Sequence, residues 1–200
     1  FGPLILVILE LVIFVSLAPA FLSPINVGGL LAFTPELGMI ALGMTMLMTS
    51  GEFDLSVGSV FGFAPVVMWT VYNTGASSLE VGFVIAMVIS VLIGLINGWF
   101  VTRLRIPSFL VTLGMQLLVR GVALYITDGF PQATWKAETA LKQILVGEFM
   151  IGSVRVYASL LWFILFAIVI GYVLTQTKTG NWIQAAGGSA TAARARGVRV

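Results

Sequence analysis

Thr49-Ser50-Gly51-Glu52-Phe53-Asp54-Leu55-Ser56-Val57-Gly58-Ser59 places two carboxylates and three serines between two long apolar runs, with almost no polar loop to hold them. Outside it, apolar residues make the chain. They account for 59% of its 200 residues, while charged residues account for 9%, and the mean hydropathy is +1.08. A soluble domain carries roughly 25% charged residues, so this composition cannot cover a water-facing surface and belongs in lipid. The quoted stretch therefore breaks an apolar, membrane-embedded pattern.

A spanning helix needs about 20 mostly apolar residues. Runs of that kind extend over 3–22, 30–49, 55–72, 81–102, 107–127 and 156–175. Ser23-Pro24-Ile25-Asn26 and Asn73-Thr74-Gly75-Ala76-Ser77-Ser78 read as breaks between them. A mixed stretch fills 128–155, and the tail from Gln176 onward is polar, small and basic. The expected fold class is all-α: a polytopic membrane protein of about six transmembrane helices, a single domain over 1–200. The period-2 alternation of a transmembrane barrel is absent, and lipid-exposed strands would leave backbone unpaired. Gly82, Gly94, Gly98, Gly114 and Gly121 fall inside the helical runs, as close helix packing requires. The chain opens on Phe1-Gly2-Pro3 without Met and reads as a fragment, and its first run does not fit a cleaved signal peptide.

Lys and Arg near helix ends set orientation. Arg103 and Arg105 lie in the short link before Pro107, and Lys178, Arg194, Arg196 and Arg199 follow the last run. Both places are expected on the cytoplasmic side. Counting back puts the N-terminus in the cytoplasm and 128–155 outside, where Lys136, Glu138, Lys142 and Glu148 mix their signs. Residues 1–102 hold no Lys or Arg, so their topology rests on counting.

Absences exclude several chemistries. Without Cys or His, disulfides, thiolate or imidazole metal sites and Ser-His or Cys-His catalysis are unavailable. No metal site is expected, and Glu52 with Asp54 form the only close acid pair. The net charge of +2 and pI near 9.2 do not indicate nucleic acid. No G-x-x-x-x-G-K-[ST] occurs, so any ATP that drives this chain binds another polypeptide.

Four features carry candidate function. Asp54, ahead of Leu-Ser-Val-Gly, reads as a helix N-cap; the quoted stretch is either a capped turn or a broken segment lining a pathway, with Ser56 and Ser59. Asn97 precedes Gly98-Trp99 and the Arg103–Arg105 anchors and can pair with a neighbouring helix. Arg120 lies inside the fifth run, about 10 Å from its end; a pathway role, structural pairing and snorkelling all remain open. Glu10 and Glu36 raise the same question nearer helix ends. In the tail, Gly187-Gly188 is a break, Ser189 can cap a short helix through Ala192, Ala193 and Arg194, and Gly197 can end it. Such a helix suits either a groove on a soluble partner or an anionic lipid surface.

The run Asp54-Leu55-Ser56-Val57-Gly58-Ser59 resembles the D-L-S-V-G-S of sugar ABC-importer permeases, the group that includes ribose, xylose and autoinducer-2 permeases. Leu104-Arg105-Ile106-Pro107-Ser108-Phe109-Leu110-Val111-Thr112-Leu113-Gly114-Met115, followed by Arg120-Gly121, resembles that family's L-R-I-P-x-F-[IV]-V-T-L-G-M and R-G. The tail resembles its T-x-x-G-x-x-x-x-A-x-G-G-N-x-x-A-A-R-x-x-G-[IV], with Ser189 at a common Asn. Gly51-Glu52-Phe53 also departs from the usual Gly-Gly-Ile before the Asp. The resemblance implies a type II importer permease of the bacterial inner membrane, with its second half beyond this chain. It implies a second permease subunit (the same or different), an ATP-binding cassette ATPase carrying ATP and Mg, a periplasmic sugar-binding protein, and lipid around the helices. On that likeness Asp54, Ser56, Ser59, Asn97, Thr112 and Arg120 are translocation or gating candidates. Residues 176–200 become a cytoplasmic coupling segment, with Gly187, Gly188, Ala192, Ala193, Arg194 and Gly197 meeting the ATPase. The rival reading is a stand-alone secondary transporter or channel using Glu10, Glu36, Asp54 or Arg120 for ion coupling.

Overall fold

The computed structural model describes residues 2–131 and 139–198. Lys136, Glu138 and Arg199 lie outside them. Among the described residues, four helices are long and apolar enough to cross a membrane: α2 (Pro24–Thr49), α4 (Leu79–Leu104), α5 (Ser108–Ile126) and α7 (Ala158–Gln176). Two shorter apolar helices, α1 (Gly2–Leu17) and α3 (Val57–Asn73), complete the expected set. Three further helices, α6 (Ala140–Val146), α8 (Lys178–Gly188) and α9 (Ala190–Ala195), and a two-stranded hairpin make up the rest of the described elements.

Proline explains where the first boundaries differ from expectation. α1 stops at Leu17 instead of running to Leu22, because Pro19 disfavours a helical Ala18. α2 starts at Pro24, six residues before Leu30. Proline fits the first helical position, where its missing N–H costs nothing. Ser23 Oγ accepts the Asn26 N–H at 3.4 Å, and Asn26 Nδ2 donates to the Phe21 carbonyl at 2.6 Å.

The chain forms two compact units. The first comprises Phe1–Ala41 and Ala140–Val169. Here the mixed stretch folds into α6 and strands β1 (Glu148–Ile151) and β2 (Val154–Tyr157), antiparallel with Phe149 opposite Val156. Four-residue strands are far short of the roughly 9–11 needed to span a bilayer, so the hairpin is a small addition to an all-α membrane fold and implies no barrel. The signal was present in Gly152-Ser153 ahead of the alternating Val154-Arg155-Val156-Tyr157. Gly152 takes φ +60°, suiting the first central position of a two-residue hairpin turn. Glycine also lets the hairpin approach α2: a Cβ at Gly28 would stand 3.2 Å from the Arg155 carbonyl oxygen. Arg155 pairs with Glu148 at 3.3 Å on the exposed side.

The second unit comprises Leu42–Thr139 and Ile170–Val200. Its core is α3 packed on α4 and α5, through Phe63, Val67, Ala86, Ile93 and Val119. A Cβ at Gly82 would come within 2.7 Å of the Met68 carbonyl oxygen, so glycine there permits the α3–α4 approach. α3 and α5 run parallel, with α4 antiparallel to both. One end of the unit thus gathers residues 49–56 and 97–112, and the other gathers 66–82 and 120–131. After α7 the chain turns back into α8. Thr177 Oγ1 caps it by accepting the Gly180 N–H at 3.1 Å, and Gln184 Nε2 donates to the Leu174 carbonyl at 2.6 Å. α8 is an addition to the helices that the polar, small composition from Gln176 onward predicts.

Candidate functional site

The break between α2 and α3 is irregular backbone, and its polar groups are satisfied by side chains from two other helices. Phe53 N–H donates to Ser108 Oγ at 3.2 Å, and Leu55 N–H donates to Thr112 Oγ1 at 3.1 Å, both acceptors on α5. Thr112 Oγ1 in turn donates to the Ser108 carbonyl at 2.8 Å. Asp54 Oδ1 receives the Ser56 N–H at 2.7 Å and the Ser56 hydroxyl at 2.6 Å. From α4, Asn97 Nδ2 donates to Ser56 Oγ at 3.0 Å. Ser56, Thr112 and Asn97 are 0%, 3% and 5% exposed.

This arrangement refines the expected N-cap. The helix starts at Val57 with Ser56 as its cap residue, and the Asp54 carboxylate holds Ser56 itself instead of the free N–H groups of the next turn. Asn97 does pair with a neighbouring element. Its Oδ1, however, is buried without a hydrogen-bond partner among the described residues. Such an orphaned acceptor costs about 1–3 kcal/mol.

Between α3 and α5 lies an open groove of about 520 Å³. Gly58, Ser59 and Gly62 of α3 line one side; Gln116 and Arg120 of α5, with Thr127 just past its end, line the other. Nothing stands within 4 Å of a Cβ built on Gly58 or Gly62, so the groove exists because those side chains are missing. Arg120 is exposed into it and makes no ion pair among the described residues. A cation in a spanning helix must face protein or water, and here it faces the groove.

The six candidates therefore divide. Asp54, Ser56, Asn97 and Thr112 form the buried lock, whereas Ser59 and Arg120 line the groove. Sequence reasoning missed two members, Ser108 and Gln116. Their signal was spacing: Ser108, Thr112, Gln116 and Arg120 recur every four residues in an otherwise apolar helix, which places them along one face.

The tail follows its expected local chemistry. Ser189 Oγ caps α9 by accepting the Ala192 N–H at 3.3 Å. Gly197 ends that helix at φ +81°, with Val198 N–H returning to the Ala193 carbonyl at 3.0 Å. Ala193 is buried, while Ala192 and Arg194 are exposed. Gly187 closes tightly on the end of α2, and Gly188 has open space around it.

Comparison with known proteins meets this geometry. Residues 26–200 match the family described as branched-chain amino acid transport system / permease component. The chain is 33% identical to the L-arabinose ABC transporter permease protein AraH of Azospirillum brasilense, over 98% of this chain and 56% of that one. It is 29% identical to the xylose/arabinose import permease protein XylH of Sulfolobus acidocaldarius, over 90% of this chain and 50% of the relative. With the ribose import permease protein RbsC of Escherichia coli K12 it shares 31% identity, over 98% of this chain and 60% of that protein. The chain thus spans about half the length of the curated relatives it matches. No solved structure matches it. With a family match from the start of α2 to the last residue, and apolar helices of spanning length, this chain is a multi-pass membrane protein of the branched-chain amino acid transport system / permease component family.

Proposed function

We propose that this chain is part of the permease subunit of an ABC importer, forming the pathway for a monosaccharide or similar small polar solute. The observation that carries the reading is the groove between α3 and α5: the Arg120 guanidinium, without an ion pair among the described residues, beside Gln116, Ser59 and Thr127. These groups supply donors and acceptors for hydroxyls. The names of the relatives, which refer to arabinose, xylose and ribose, support a sugar.

In this reading the permease performs no covalent chemistry. It offers different packing in its inward and outward states, and ATP with Mg on a separate ATPase subunit selects between them. A periplasmic binding protein delivers the solute, a second permease subunit completes the pathway, lipid surrounds it, and nucleic acid has no part. Residues 176–200 form the cytoplasmic coupling segment. Gly188, Ala192, Ala193, Arg194 and Gly197 are its contact candidates for the ATPase, whereas Gly187 faces Thr49 of the same chain. The end of the second unit that holds Arg103 and Arg105 is the cytoplasmic one, by the positive-inside rule; the N-terminus then lies in the cytoplasm and residues 128–155 outside.

The test is uptake of labelled L-arabinose, D-xylose and D-ribose into proteoliposomes holding the full-length permease, its ATPase and its binding protein. Uptake of at least one sugar should require ATP hydrolysis. Uptake that follows an ion gradient with no ATPase present would establish the stand-alone transporter instead.

A further inference from the structure

We infer that Gly187 and the Thr49–Gly51 turn form a rigid joint through which the coupling segment moves the α2–α3 break and, through α5, the Arg120 groove. The inference rests on the ATP-driven reading above. It begins with one contact. A Cβ on Gly187 would overlap the Thr49 carbonyl oxygen and stand 2.9 Å from the Thr49 carbonyl carbon and 3.0 Å from that of Ser50. On the facing side, Gly51 sits at φ +89°, and a Cβ there would lie 3.5 Å from the Gly187 Cα. Glycine is thus required twice, once for approach and once for conformation.

Main chain against main chain makes a stiff contact. A side chain at the interface could change rotamer and absorb a displacement, but a carbonyl fixed at the last turn of a helix cannot. Close-packed contacts transmit strain for that reason. Past Gly51 the route continues through hydrogen bonds. Phe53 and Leu55 are tied to Ser108 and Thr112, and Gln116 and Arg120 follow on the same face of α5. A push on the α8–α9 junction therefore reaches the groove without crossing a flexible loop.

The experiment compares Gly187→Ala and Gly187→Val with the wild-type permease in the reconstituted complex of permease, ATPase and binding protein. Gly171→Ala, which adds a methyl in open space on α7, serves as control. ATPase co-purification and basal ATP hydrolysis should persist in all four proteins. Sugar moved per ATP should fall by about tenfold in Gly187→Val, a shift of about 1.4 kcal/mol in the coupled step, and less in Gly187→Ala. Wild-type coupling in Gly187→Val overturns the joint, and so does loss of ATPase binding, which would make Gly187 a docking residue. Should Gly187→Val not assemble, nitroxides at Glu52→Cys and Ala190→Cys decide the matter; the chain has no native Cys to interfere. Their separation should change by less than the roughly 1–2 Å of an interface slip between nucleotide-free and ATP-bound complexes. A larger change means that the joint slides and the inference is wrong. Failure of the wild-type complex to couple ATP to uptake would sink the underlying reading instead.

Discussion

The α2–α3 break and the Arg120 groove are built from the same two parallel helices, yet they treat polar groups in opposite ways. In the break, the Phe53, Leu55 and Ser56 N–H groups all find side-chain acceptors, Ser56, Asn97 and Thr112 are sealed from solvent, and Asn97 Oδ1 is left without a partner among the described residues. In the groove, Arg120 has no ion pair among the described residues, and glycines replace the side chains that would fill the space. Satisfied polar groups at membrane depth hold a non-helical backbone in one shape. Unsatisfied ones in an open groove are free to meet a solute. On the proposed reading, the contrast separates residues that hold the break in shape from residues that would line a pathway.

Substitutions on the two sides should therefore fail differently. Asp54→Ala strips the acceptor from both the Ser56 N–H and its hydroxyl, and should destabilise by about 3 kcal/mol, as expected for lost bonds to a charged group. Thermal unfolding of the purified protein checks this, and uptake should fall only as folded protein falls. Gly62→Leu fills open space, so the fold should stand while solute flux drops on the order of a hundredfold, about 2.7 kcal/mol of barrier. A Gly62→Leu protein that melts early would show that the groove is packed, contrary to the account. Thr112→Val keeps the shape but leaves the Leu55 N–H without its acceptor, costing about 1–2 kcal/mol of stability. Arg120→Gln belongs to the other class: an unchanged melting temperature with roughly tenfold slower uptake, or about 1.4 kcal/mol. Ser59→Ala should be the mildest, within about 0.5 kcal/mol in stability, and detectable only as a small rise in the sugar concentration for half-maximal uptake.

Much of this was legible before any coordinates. Length and hydropathy gave the six apolar helices, and local capping chemistry gave α9 from Ser189 to Gly197. Those features depend on composition or on residues adjacent in sequence. What escaped depended on smaller or longer-range signals. Pro19 and Pro24 moved the first boundaries because a single ring constrains the backbone where a hydropathy window averages over it. α8 escaped because its residues are small and polar, and its stability comes from Thr177 and from packing on the end of α7. Asp54, Ser56, Ser59, Asn97, Thr112 and Arg120 could each be named from the sequence. Their division into lock and groove required knowing that 53–56 lies beside 108–112, a juxtaposition that only the parallel packing of α3 and α5 supplies.

The Gly187–Thr49 contact puts the proposed coupling segment at the 49–56 end of the second unit, while the groove runs toward residues 127–131 at the other, and that opposition can be read directly. In a chain without native cysteine, Ala190→Cys and Phe130→Cys can each be challenged with a membrane-impermeant maleimide in sealed vesicles of known orientation. The account predicts that position 190 is labelled only from the cytoplasmic side and position 130 only from the outside. Labelling of both from one side, or of position 190 from the outside, would contradict it.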